Sequence, residues 1–78
     1  MAELLLFASI REAAGTNRAS IAGVTVGDVL DESVALFGEA FAQLLPYCSV
    51  FLGDDRVSRS TILSESDEIA VLPPVSGG

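Results

Sequence analysis

The chain ends Pro73-Pro74-Val75-Ser76-Gly77-Gly78, and the two glycines are the residues with the clearest chemical use. Without Cβ atoms they form the thinnest possible backbone, able to enter a tunnel that rejects any side chain. The Gly78 carboxylate is a poor electrophile by itself. Adenylation would convert it to an acyl-phosphate anhydride, open to attack by sulfur or by an amine. Pro73-Pro74 would stiffen the base of such a tail and lower the entropy lost when it docks. The plain alternative is a frayed terminus. At a glycine usage near 7%, two glycines close a chain by chance in about one case in 200. The dipeptide gains weight from the Pro-Pro lead-in and the strand pattern before it.

Little else in the chain can do chemistry. There is no His, no Trp and no Lys, and the four basic residues are Arg11, Arg18, Arg56 and Arg59. The two side chains that most readily titrate near neutrality in active sites are therefore missing, which excludes Schiff-base chemistry and His-based triads. The single Cys48 excludes an internal disulfide, a thiol pair and a multi-Cys zinc site. Within an apolar run it reads as a small buried hydrophobe rather than a relay thiol. Asp54-Asp55 beside Gly53 reads as a solvated turn, and no metal site is expected. Arg11 and Arg18 could anchor a partner's carboxylates, although solvated surface arginine is the commoner role.

Seventy-eight residues make one small domain, and 50% hydrophobic residues argue for a packed fold. A net charge of −7 opposes binding to phosphate backbones and favours a basic protein surface as partner. No stretch reaches the roughly 20 apolar residues of a membrane span. Met1 to Ser9 lacks a basic leader and a cleavage site, so it reads as a strand and the expected location is the cytoplasm.

The elements that must position the tail follow from pattern. Glu3 to Ser9 reads as a strand covered on both faces, and Arg18 to Ala22 as a second strand paired to it beyond the turn residues 15–17. Thr25 looks like a helix N-cap with Asp28 in the first turn. Leu30, Val34, Phe37 and Phe41 then recur on one helical face. Gly38 either ends that helix or sits within a longer one reaching Leu45, and Pro46 closes the segment. Cys48 to Leu52 is a third strand, Arg56-Val57 a short return strand and Glu68 to Leu72 the last. Ser58 to Ser66 reads as a connection pinned by buried Ile62 and Leu63. This order predicts an α+β fold: a β-grasp with a mixed sheet of about five strands and one main helix across one face. Residues 1–72 would form the domain and 73–78 an extended tail. A split ferredoxin-like sheet would need a further helix within 53–66, which is too polar.

The segments Leu6-Phe7-Ala8, Arg11-Glu12 and Gly15-Thr16, with the ending Leu72-Pro-Pro-Val-Ser-Gly-Gly, resemble the small subunit of molybdopterin synthase over the full length. The Pro-Pro-Val-Ser-Gly-Gly ending is the most specific part. The resemblance implies a ubiquitin-like β-grasp fold and a sulfur carrier with no permanently bound cofactor. A ubiquitin-activating-type adenylyltransferase would use ATP to adenylate Gly78, and a sulfur donor protein would supply sulfur for a thiocarboxylate. Gly77 and the rest of the tail, Pro73, Pro74, Val75 and Ser76, would enter the active site of the large subunit, which holds the catalytic residues. There sulfur would pass to cyclic pyranopterin monophosphate, building the molybdopterin dithiolene within a heterotetramer. Phe7 and Leu72 match apolar positions that face partners in the family. Leu72 is smaller than the aromatic common there, and Arg56 lies near a position that is often apolar. From the residues alone Phe7 stands equally as core or as interface, because Leu4 to Phe7 offers no clean alternation. A sulfur carrier for thiamine or another pathway, and a ubiquitin-like modifier or interaction module, are the competing functions. Without lysine the chain could donate an isopeptide bond but not accept one on a side chain.

Overall fold

The computed structural model describes residues 1–74. The first strand is shorter than the apolar run predicts. β1 spans Ala2–Leu6, and the chain then turns at Ala8, whose φ of 51° lies in the left-handed region. That turn costs a non-glycine residue about 1–2 kcal/mol and ends the extended run. A helix the sequence reading lacked, α1 (Ala8–Ala14), follows. No side chain caps its start, so it depends on burial of Ile10 and on packing against α3 (Glu39–Leu44). Gly15 closes it at φ 79°.

β2 (Arg18–Ile21) returns antiparallel to β1, as expected, with α1 lying in the connection. α2 (Val26–Phe37) starts on a complete capping box. The Thr25 hydroxyl accepts from the Asp28 N–H at 3.1 Å, while Asp28 Oδ2 accepts from the N–H groups of Thr25 (3.1 Å) and Val24 (3.2 Å). These bonds satisfy donors that a helix start otherwise leaves unpaired. At its other end Gly38 adopts φ 92°, which breaks the helical stretch in two and settles the question left open above. Only glycine takes that conformation without strain. The break lets Phe41 turn fully into the core against Phe37, ring centroids 5.1 Å apart. A 3-10 turn (Leu45–Tyr47) carrying Pro46 leads into β3 (Ser49–Leu52).

β4 (Asp55–Arg56) and β5 (Glu68–Leu72) complete a mixed sheet in the order β2-β1-β5-β3-β4. β1 and β5 run parallel, and the other neighbours are antiparallel. The helices cover one face, so inward residues alternate with outward ones. Leu4, Leu6, Ile69 and Val71 are buried against Ile10, Val26, Val29, Leu30 and Phe41. Each fully buried large side chain contributes about 1.5–3 kcal/mol. This is the β-grasp arrangement the sequence predicts. Two details differ. Ile62 is 74% exposed, and only Leu63 packs on the core. Residues 61–63 run extended, bridging Thr25 to Ile62, so adjacent side chains point to opposite sides. Among the described residues no helix is long and apolar enough to cross a membrane.

Replacing Thr25 by Ala should cost about 1 kcal/mol, seen as a fall in Tm of about 4–8 °C for a domain this size. The N–H groups of Thr25 and Val24 hold the Asp28 carboxyl below its usual pKa of 3.8. Asp28→Ala should therefore destabilise fully above that value, and the gap from wild type should close as the pH falls further. Thermal melts of both variants between neutral and acid pH check these outcomes.

Candidate functional site

β5 delivers the chain to its last described residues from the middle of the sheet. Val71 pairs with Leu6 and Val50, and Leu72 pairs with Ser49. Pro73 is half-buried and Pro74 exposed. Having no N–H, the two prolines end the ladder there. Val75, Ser76, Gly77 and Gly78, the proposed reactive tail, lie outside the described residues.

The parallel register places Phe7 beside Leu72 at this end of the sheet. Phe7 is 45% exposed and Leu72 37% exposed. The alternation missing from the sequence is present in the strand, with Leu4 and Leu6 buried while Phe7 stays in solvent. Tyr47, two residues before Ser49, is 73% exposed at the same end and escaped notice in the sequence. Its signal was its place just after Pro46, at the mouth of a strand.

The sheet face opposite the helices divides in two. One corner is polar and internally satisfied. Arg18 bonds Glu3 at 2.7 Å and Glu68 at 3.2 Å, and the Ser20 hydroxyl donates to Glu3 at 2.8 Å. The Ser20 and Arg18 bonds hold the Glu3 carboxyl below its usual range, and Glu3 in turn pushes the Arg18 guanidinium up. Arg18 is thus engaged within the chain. The corner nearer the tail is apolar. Leu5, Ala70 and Phe51 lie side by side across β1, β5 and β3, with Arg56 of β4 next in the row. Leu5 and Phe51 are only half-buried, and neither packs on the core.

Side-chain chemistry is sparse. Among the described residues no group of three or more His, Cys, Asp or Glu could hold a metal ion. Cys48 sits half-buried just before β3, where its thiol donates to the Leu44 carbonyl at 3.4 Å. Burial pushes its pKa up, which disfavours the thiolate. It lines a cavity of about 320 Å³ with Leu30, Leu45, Pro46, Val50 and Arg59. The raised pKa fits the inert reading of this residue, which is half-buried rather than buried. Asp54 is exposed in the turn before β4, and Asp55 is exposed as the first residue of β4.

Comparison with known proteins agrees with this architecture. The chain is 33% identical to a molybdopterin synthase sulfur carrier subunit of Drosophila erecta, over 96% of its length and 88% of the relative's. It is 36% identical to small archaeal modifier protein 1 of Haloferax volcanii, over 97% of its length and 99% of the relative's. The solution structure of small archaeal modifier protein 1 from Methanosarcina acetivorans superposes with a TM-score of 0.89 at 29% identity, covering 99% of this chain and 95% of that one. The fold is the ubiquitin-like β-grasp of sulfur carriers. The ThiS family model matches residues 4–78, and the chain belongs to the ThiS family.

Proposed function

We propose that this chain is the sulfur carrier subunit of molybdopterin synthase, with Gly78 as the sulfur-bearing residue. In this reading residues 1–72 are the docking domain and 73–78 the inserted tail. The Gly78 carboxylate attacks the α-phosphate of ATP on a ubiquitin-activating-type adenylyltransferase, releasing pyrophosphate. Sulfide released by a donor protein then attacks the acyl carbon, displacing AMP and leaving a thiocarboxylate. Gly77 and Gly78 carry it into the large subunit, where sulfur passes to cyclic pyranopterin monophosphate to build the dithiolene. Phe7 and Leu72 dock on the partners, and the working complex is a heterotetramer in the cytoplasm. Neither nucleic acid nor membrane takes part.

The observation that carries this reading is the placement of β5. The central strand runs straight into Pro73-Pro74 beside an apolar, solvent-facing corner. A chain with no His and no Lys suits the role, because the partner supplies the catalysis. The likeness to the Drosophila carrier supports the choice of pathway.

A second reading, in which the tail of this chain is joined to amines of other proteins, draws support from its likeness to small archaeal modifier protein 1 of Haloferax volcanii. A thiazole-forming pathway is a further destination for the same thiocarboxylate.

Incubation with ATP, the activating enzyme and a sulfur donor should raise the intact mass by one oxygen-to-sulfur exchange. An unmodified carboxylate throughout would sink the carrier reading. The thiocarboxylate should convert the pterin precursor on a large synthase subunit and give no sulfur to a thiazole synthase; the reverse preference would move the chain to the other pathway. Lysine-linked adducts formed in place of sulfur transfer would favour the modifier.

Deleting Gly78 should abolish transfer while Tm moves by no more than about 2–4 °C, the range for a surface change. Cys48→Ala should leave transfer intact, since the sulfur resides on the tail. Loss of thiocarboxylate in that variant, with the fold retained, would reassign the sulfur.

A further inference from the structure

Of the four arginines, Arg11 and Arg56 form no ion pair among the described residues, and of these two only Arg56 lies on the sheet. Arg18 is held by Glu3 and Glu68, and Arg59 by Asp31 at 2.7 Å. Among the described residues Arg56 forms no ion pair, although Asp54 and Asp55 directly precede it and acidic residues outnumber basic ones 11 to 4. Its register explains why. Arg56 is paired with Phe51, and the next residue, Val57, packs on the core. Side chains alternate along the strand, so Arg56 lies on the face away from the helices, at the end of the Leu5, Ala70, Phe51 row.

We infer that Arg56 makes the apolar corner beside the tail selective for a partner protein that sets a carboxylate next to its apolar knob. This rests on the reading that the corner docks the large subunit. A protein covering Phe51, Leu5 and Leu72 also strips water from one side of the Arg56 guanidinium. Removing that water is costly unless an acceptor replaces it, and a carboxylate matches the guanidinium fork with two parallel bonds. A partner with only apolar groups there leaves the cation dry and unpaired and is rejected. The occupant is thus a protein whose surface is broadly basic, answering the net charge of −7, yet locally acidic opposite β4.

The two charge effects predict opposite signs, which makes the test decisive. Were the partner uniformly basic, Arg56→Glu would make the carrier more acidic and strengthen binding. With a carboxylate opposite, Arg56→Glu should weaken binding to the large synthase subunit of the same organism by at least tenfold in calorimetry. Arg56→Leu should weaken it less and flatten its salt dependence, and Arg56→Lys should recover part of the loss. Thermal melts establish that the variants fold, and β4 is exposed enough to tolerate them. Unchanged or tighter binding by Arg56→Glu or Arg56→Leu would overturn the inference while leaving the sulfur-carrier reading intact. Failure of the wild-type chain to bind that subunit at all would overturn the functional reading itself. A wild-type homodimer in sedimentation that Arg56→Glu dissociates would assign the corner to a second copy and also overturn the inference.

Discussion

β5 is hydrogen-bonded along both edges, parallel to β1 and antiparallel to β3, and most of the molecule is arranged around that double pairing. It joins the two hairpin-like arms into one sheet, and its inward residues Ile69 and Val71 sit at the bottom of the core. Because β5 is central, its last residue, Leu72, emerges between neighbours rather than at a frayed edge. Those neighbours bring Phe7 and Tyr47 to the same end. The residues that flank the proposed tail are far apart in the chain and owe their proximity to register alone.

The sheet also divides labour between its two faces. One is sealed by α1, α2 and α3 and contributes stability. The other is split between a corner whose charges satisfy one another and a corner left apolar beside the exit of β5. A polar corner already satisfied within the chain has little to offer a partner, whereas the apolar corner gains by being covered. On the proposed reading, the asymmetry would give docking a direction, with contact concentrated where β5 leaves the sheet. The described residues hold no cluster suited to metal chemistry, and the lone thiol is tied to the Leu44 carbonyl, which accords with the proposal that the reactive group is the tail.

Features with local causes were legible in the sequence. The cap at Thr25 and Asp28 is written in adjacent residues, and β5 stops where the two prolines remove the N–H groups a ladder needs. Features set by tertiary context were not. α1 begins at the end of the apolar run and went unread because no capping side chain announces it. Ile10, Ala13 and Ala14 at helical spacing, with Gly15 after them, were the available signal. Ile62 and Leu63 looked alike in hydropathy, yet an extended backbone buries only one of two neighbours. The row linking Leu5 to Arg56 was invisible for a deeper reason. It crosses four strands and exists only once their registers are fixed.

The parallel pairing of β1 and β5 has a mechanical consequence. The chain begins at one end of β1 and leaves β5 at the opposite end of the sheet. Tension between the start of the chain and its end would slide these strands past each other, loading their hydrogen bonds together rather than unzipping them one by one. Forced unfolding is governed by the height of the barrier to opening, and collective shear raises that barrier. A pull between those two ends therefore runs along the strands and meets their pairing in shear.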